Sequence, residues 1–219
     1  MESYLLTHVK NLIERYPQLS KCENSILEAY MLLEATFESD NKLLVAGNGG
    51  SAADAEHITG ELMKRFSLSR PIGFELKDKL CRIDPIRGKK LAVNLERGLM
   101  TIPLVSHEAL YTAYINDVDG EGVFAQQIMN YGRSGDAFLG ISTSGNSQNI
   151  INATILAHAL DIKTIGLTGE GGGELGAFAD IMVRVPEKET YLIQELHLPI
   201  YHCWCLMLEK HFFGVDTSV

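Results

Sequence analysis

The sequence lacks the marks of a disulfide-rich, secreted or membrane-spanning protein. Its four cysteines show no C-x-x-C spacing, and it opens without a charged, apolar and small-residue leader. No apolar run reaches the roughly 18 residues that a membrane-spanning helix needs. We therefore expect a cytoplasmic protein with no membrane partner.

Positive charge is also scarce. The net charge of −9 is spread along 219 residues, so no bulk charge would attract nucleic acid, and any phosphate must be held locally. The pattern G-x-x-x-x-G-K-[ST] is absent, which argues against nucleotide hydrolysis. Hydrophobic residues make up 46% of the chain, which fits one globular domain over residues 1–219.

Apolar residues recur at every third or fourth position over residues 1–40. This spacing predicts two amphipathic helices that break near Pro17. Because these helices precede the alternating strands and helices, we expect partner subunits to cover their apolar side chains in an oligomer. Those side chains include Leu5, Val9, Leu12, Ile26, Leu33 and Phe37.

Strands and helices then alternate along the chain. Apolar runs at 42–47 and 136–141 predict strands, each followed by a helical pattern, the second beginning at Asn146. The order recurs weakly from Lys163, with a further strand at 180–186. Such alternation predicts a parallel sheet covered on both faces, with ligands bound beyond the carboxyl ends of its strands.

Residues 67–115 interrupt this order. Prolines and glycines punctuate the segment, which is also the basic part of an acidic chain. We predict an irregular basic insertion, either a solvated surface excursion or a lid that shapes a substrate site.

The loop after the first strand reads "GNGGSA". Asn48, Gly49, Gly50 and Ser51 leave the backbone accessible where a helix begins, and helix N-termini favour anions. The loop also fits the loose dinucleotide pattern G-x-G-x-x-G/A, but only Glu75 comes near the acidic residue that this pattern requires. A dinucleotide enzyme is therefore a distant alternative.

The loop after the second strand, "ISTSGNS", points more strongly to phosphate. One hydroxyl would suffice to cap the following helix, whereas this loop holds several around one glycine, which favours phosphate binding without a lysine. The hydroxyls belong to Ser142, Thr143, Ser144 and Ser147. The hydrolase pattern G-x-S-x-G is not met, because "GISTS" ends in serine.

Titratable side chains occur in two helical segments. His57 and Glu61 are four residues apart and share a helix face. Gln194, Glu195, His197 and His202 lie in a mostly apolar segment that Pro199 should kink or begin. Spacing alone leaves open whether His57 meets His202.

Four stretches together, "GNGGSAADAEH", "GISTSGNS", "LTGEGGGEL" and "IQELHLPIYH", resemble the sugar isomerase (SIS) domain family and, within it, the phosphoheptose isomerase group. The resemblance covers most of the chain. It implies a three-layer αβα sandwich of flavodoxin-like type around a five-stranded parallel sheet. It also implies a homotetramer with active sites between subunits.

The resemblance further implies roles for single residues. It assigns the phosphate to the serine loop, and the sugar to Asn48, Gly49, Gly50, Ser51, Arg65, Asp117 and Gln194. It assigns zinc to His57, Glu61, Gln194 and His202, with Glu61 and His202 also the acid-base pair.

The implied reaction is the aldose-ketose isomerisation of sedoheptulose 7-phosphate to D-glycero-D-manno-heptose 7-phosphate. Two departures leave alternatives open: the segment from Arg65 to Asp117 is longer than usual, and Tyr191 replaces a common substrate-contacting aspartate. One alternative is an isomerase or sensor for another ketose phosphate. A second is a non-catalytic tetramer that binds a protein such as a replication initiator.

Overall fold

The fold is that of a computed structural model, which describes residues 5–214. Five parallel strands form one sheet in the order β2-β1-β3-β4-β5. The strands are β1 (Leu43–Gly47), β2 (Thr101–Pro103), β3 (Ala137–Ile141), β4 (Lys163–Thr168) and β5 (Ile181–Arg184). The predicted five-stranded parallel sheet is confirmed. Residues 1–4 and 215–219 of the predicted single domain lie outside the described residues.

Helices cover both faces of the sheet, as predicted for a three-layer sandwich. Successive residues of β1 point to opposite faces, so Leu43 and Val45 join one apolar cluster and Leu44 and Ala46 join the other. The first cluster packs under α1 (Leu6–Arg15), α2 (Glu23–Glu38), α3 (Gly50–Met63) and α9 (Thr190–Phe213). The second packs under α7 (Val123–Tyr131) and α8 (Gln148–Ala159).

The N-terminal helices are present, with a short 3₁₀ turn between them at Pro17–Cys22. The expectation that partner subunits cover their apolar residues is wrong. Leu5, Leu12 and Leu33 are all buried within the single chain, as are Val9, Ile26 and Phe37. The helix α9 supplies the cover, and its Trp204 Nε1 donates a hydrogen bond to the Ile26 carbonyl at 2.9 Å.

The segment 67–115 is not irregular, which corrects the prediction. It contains α4 (Phe74–Ile83), α5 (Arg87–Asn94), the edge strand β2 and the start of α6 (Glu108–Asp117). The helices α4 and α5 pack on each other, and a side chain at Gly88 would put its Cβ 1.9 Å from the Leu80 carbonyl oxygen. We call residues 74–94 the α4–α5 hairpin.

Two helix starts also differ from the sequence prediction. The helix α8 begins at Gln148 and not at Asn146, because Ser147 has the extended backbone of an N-cap residue. The helix α9 begins nine residues before Pro199 and runs through it, so Pro199 does not begin the helix. Within residues 5–214, no helix has the length and apolar character needed to cross a membrane.

Candidate active site

Two neighbouring strands bring the glycine and serine loops to one edge of the sheet. The strands β1 and β3 are paired in parallel, so the loops that follow them emerge side by side. The side-chain amides of Asn48 and Asn149 join the two loops through a reciprocal pair of hydrogen bonds, both 2.9 Å long. The two loops therefore lie together at the carboxyl edge of the sheet.

Glycine in the first loop makes room for a side chain of α9. Gly49 has a left-handed backbone (φ 56°), and Gly50 begins α3. A Cβ on Gly50 would lie 2.5 Å from Gln194 Nε2, so the absence of a side chain lets this amide approach the start of α3. Ser51 is buried, and its N–H donates to the Asn48 carbonyl.

The hydroxyls of the serine loop keep donor capacity. Ser144 Oγ accepts a hydrogen bond from the Asn146 N–H at 3.1 Å, which leaves its own proton free. Ser142 and Ser147 place their hydroxyl oxygens 3.0 Å apart, so one proton of that pair is also free. The Ser147 side chain does not cap α8, and the N–H groups of Ile150 and Ile151 donate to the Ser147 carbonyl. The N–H groups of Gln148 and Asn149 remain available to an anion.

A third loop, residues 169–173, supports the serine loop from behind. Gly145 has φ 69°, and a Cβ there would lie 2.0 Å from the Gly172 carbonyl oxygen. The N–H of Gly169 donates to the Thr143 carbonyl and that of Leu175 donates to the Gly145 carbonyl. The backbone of the serine loop is therefore fixed on both sides.

The histidines that spacing could not connect meet between α3 and α9. His57 Nε2 lies 3.3 Å from Glu61 Oε1 and 3.5 Å from His202 Nε2. Burial and the nearby His57 lower the pKa of His202, which favours its neutral form. Glu61 Oε2 is buried and has no hydrogen-bond partner among the described residues. We call His57, Glu61 and His202 the histidine-glutamate cluster.

Two further residues lie behind this cluster. Tyr201 Oη is 3.0 Å from His57 Nδ1 and donates a hydrogen bond to Asp54 Oδ1 at 3.1 Å. Burial raises the pKa of Tyr201, so its hydroxyl keeps its proton, and burial also raises the pKa of Asp54. The sequence analysis did not single out either residue. Two local features of the sequence could have pointed to them. Asp54 lies three residues before His57 on α3, and Tyr201 directly precedes His202.

The other predicted site residues are more dispersed. Arg65 is mostly exposed, and its Nε pairs with Glu96 at 3.2 Å. Asp117 is exposed at the end of α6, where its carboxylate accepts a bond from Asn116. Over residues 5–214, no hydrogen bond or ion pair joins either residue to the serine loop or to the histidine-glutamate cluster.

Gln194 and His197 lie one to two turns before His202 on α9. Gln194 approaches Gly50, but no described hydrogen bond joins it to the histidine-glutamate cluster. His197 is fully buried, burial lowers its pKa to about 4, and neither ring nitrogen has a hydrogen-bond partner in the described chain. Residues 5–214 contain no group of three or more His, Cys, Asp or Glu side chains arranged to hold a metal ion.

Comparisons with known proteins give a consistent result. Residues 94–169 match the SIS domain family. The chain is 36% identical over 217 residues to a phosphoheptose isomerase of Sulfurimonas denitrificans, covering 98% of both chains. It is 36% identical to phosphoheptose isomerase 2 of Campylobacter jejuni, over 100% of this chain and 97% of that one. Among solved structures, a phosphoheptose isomerase from Neisseria gonorrhoeae matches with TM-score 0.70 and 31% identity over 94% of this chain and 97% of the other.

Proposed function

Because the chain belongs to the phosphoheptose isomerase family, we propose that it interconverts sedoheptulose 7-phosphate and D-glycero-D-manno-heptose 7-phosphate. This is an aldose-ketose isomerisation, an intramolecular oxidoreduction. The observation that carries the proposal is that the serine loop lies beside the first loop, from which α3, the helix of His57 and Glu61, begins. Asn149 bonds Asn48 of the first loop, and Gly50 of that loop contacts Gln194 of α9.

The serine loop binds the phosphate in this proposal. The free hydroxyl protons of Ser144 and of the Ser142–Ser147 pair, the Thr143 hydroxyl and the first N–H groups of α8 donate to the phosphate oxygens. The sugar then extends across Asn48 and Ser51 toward α3. The sugar phosphate is thereby held locally by hydroxyl and backbone donors, without a lysine.

Glu61 moves the proton between the two reacting carbons. Its Oε2 has no hydrogen-bond partner among the described residues, so a lone pair is available to take a proton from C1 of the ketose. The electron pair of the broken C–H bond forms the C1–C2 double bond of an enediol, while the π pair of the C2 carbonyl moves onto its oxygen. Glu61 returns the proton to C2, and His202 transfers a proton from the oxygen on C1 to the oxygen on C2. No external oxidant or reductant is needed.

We propose zinc as the cofactor, held by His57, Glu61, Gln194 and His202. Two pairwise separations, 3.3 Å from His57 Nε2 to Glu61 Oε1 and 3.5 Å from His57 Nε2 to His202 Nε2, suit neighbouring ligands of a tetrahedral ion with bonds of about 2.0–2.2 Å. The three side chains together do not form a metal-holding group in residues 5–214, so zinc binding would require them to shift. When bound, the ion would polarise the oxygens on C1 and C2 of the substrate.

We further propose a cytoplasmic homotetramer with active sites between subunits. A groove between α1 and α9, lined by His8, Arg15 and Tyr16, reaches His202 and leaves space beside the cluster for residues of a neighbouring subunit. All four cysteines are free, which suits a reducing compartment. Sedimentation would test the tetramer, and a fully active monomer would contradict it.

A second candidate is an isomerase for a different ketose phosphate. The base of the α4–α5 hairpin adjoins Arg65 through Glu96, and Tyr191 is exposed on the first turn of α9. Both could change which sugar fits.

A panel of ketose phosphates of five to seven carbons, incubated with the purified protein, tests the substrate assignment. We expect aldose product from sedoheptulose 7-phosphate at the highest kcat/KM. Preferential conversion of a shorter ketose would establish the second candidate, and no conversion of any member would overturn the proposed activity.

A further inference from the structure

Tyr201 and Asp54 form a hydrogen-bonded line that ends on His57. Tyr201 is almost fully buried, and its hydroxyl lies 3.0 Å from His57 Nδ1 and 3.1 Å from Asp54 Oδ1. The second ring nitrogen of His57, Nε2, lies next to Glu61 and His202. The two nitrogens of one imidazole therefore meet two different sets of partners.

The direction of these bonds follows from the count of protons. A phenol has one proton, and Tyr201 donates it to Asp54 Oδ1. This direction holds for the ionised Asp54 carboxylate, which carries no proton and can only accept. With its proton committed, the Tyr201 oxygen can only accept from His57. His57 Nδ1 must then carry a hydrogen.

We infer that Asp54 and Tyr201 are positioning residues that hold His57 in its Nδ1–H tautomer and thereby present the Nε2 lone pair to the reaction site. The inference rests on the proposed function, in which His57 Nε2 is a zinc ligand. A metal-bound histidine needs this partner on its other nitrogen, because the partner fixes both the tautomer and the ring orientation. Without the phenol, the ring can rotate and carry its proton on Nε2, where it would block the ligand position.

The direct test is ¹⁵N NMR of the metal-free protein with labelled histidine, using a His57→Gln variant to assign the His57 signals. We expect the wild type to show a protonated Nδ1 and an unprotonated Nε2. Tyr201→Phe removes only the hydroxyl and should produce a mixture with a protonated Nε2. A wild type with its proton on Nε2, or a Tyr201→Phe variant with an unchanged tautomer, would overturn the inference.

Zinc affinity, measured by competition with a chelator, provides a second readout. We expect Tyr201→Phe to bind zinc about 10- to 100-fold more weakly, the usual effect of removing such a partner. Asp54→Ala should weaken binding, whereas Asp54→Asn, which keeps the Oδ1 acceptor, should restore most of it. Equal affinity in all these variants and the wild type would contradict the inference.

Tyr30→Phe is the matched control. Tyr30 is also buried, and its hydroxyl donates to a carboxylate, Glu34 Oε1, at 2.7 Å within α2. It should leave the His57 tautomer and zinc affinity unchanged; a Tyr30→Phe variant that altered both as Tyr201→Phe does would assign the effect to general loosening and overturn the inference. The NMR result also separates the two proposals. An Nδ1–H tautomer in a protein that isomerises no ketose phosphate would refute the function while leaving the positioning role supported.

Discussion

The carboxyl edge of the sheet and the α4–α5 hairpin are built in opposite ways. At the edge, Ser142, Gly145 and Ser51 are buried, and each loop is bonded to another loop. In the hairpin, Ile83 and Ile86 are each 83% exposed, and the two helices contact mainly each other. The comparison shows that the sheet fixes the site from several directions, whereas the hairpin depends on its own internal packing.

A buried ion pair separates the two regions. Arg70 and Glu209 are almost fully buried, with Arg70 Nη2 2.8 Å from Glu209 Oε1. Arg70 also donates to the Leu62 and Glu61 carbonyls at the end of α3, while its own carbonyl accepts from the Arg97 N–H at the hairpin base. We therefore expect a substitution within the hairpin to leave α3 unaffected. A substitution of Arg70 should destabilise the end of α3.

The largest expected effect is on substrate binding at the edge. A double variant, Ser144→Ala with Ser147→Ala, removes two hydroxyl donors to the phosphate, each worth about 1.5–3 kcal/mol. We expect a rise in KM of about 10²- to 10⁴-fold with normal unfolding. Ser20→Ala with Ser25→Ala, which removes two hydroxyls that bond only local carbonyls, is the control. An unchanged KM in the first double variant would refute the phosphate assignment.

Loss of the buried ion pair should be nearly as costly, but to stability. Arg70→Met leaves the buried Glu209 carboxylate without its cation, and breaking such a pair costs about 3–5 kcal/mol. Arg87→Met removes an exposed pair with Asp84 on the hairpin and should cost less than about 1 kcal/mol. Urea unfolding measures both values. Equal losses of unfolding free energy in the two variants would contradict the proposed difference between the buried ion pair and the hairpin.

We expect the burial of neutral His197 to make the free energy of unfolding depend on pH. Its pKa of about 4 in the folded chain lies below the usual 6.5, so the unfolded chain binds the proton first as the pH falls. The contribution of neutral His197 is complete above pH 6.5 and is lost as the pH falls toward 4, by about 3 kcal/mol in all. His197→Met should reduce this slope in metal-free protein, and the remaining slope comes in part from His202 and His8, whose pKa values burial also lowers. Identical pH profiles for the variant and the wild type would contradict the assignment.

The smallest effect should be confined to the hairpin. Gly88→Ala forces a Cβ against the Leu80 carbonyl and should speed amide hydrogen exchange within residues 74–94 only. Gly73→Ala is a matched control, because nothing lies within 4 Å of a Cβ at that position and its backbone is ordinary. Faster exchange at α3 in Gly88→Ala would show that the hairpin and the site are coupled.

The same comparison shows what sequence could predict. The strands β1 and β3 are short apolar runs that end at loops rich in glycine or serine, so their period and their stops are local features. The strand β2 was not recognised, because three residues that include Pro103 carry no periodicity. The sequence predicts irregular chain at the hairpin because glycine, proline and basic residues punctuate two short helices of 10 and 8 residues.

Contacts between distant segments were the least predictable. His57 and His202 are 145 residues apart, and only the packing of α3 on α9 brings them together. For the N-terminal helices, the sequence led to the prediction of a contact between subunits where the structure has a contact within the chain. Their apolar residues suggested a partner subunit, but α9 of the same chain covers them, because an amphipathic pattern reports that a face is buried and not what buries it.

The central claim is that Glu61 is the base in the isomerisation of sedoheptulose 7-phosphate. The most direct measurement compares the rate of heptose 7-phosphate formation by the wild type and by Glu61→Gln, which keeps the size of the side chain and removes its basicity. We predict turnover by the wild type and a loss of at least about 10²-fold in kcat for Glu61→Gln, with KM far less affected. Full activity in Glu61→Gln would contradict the account.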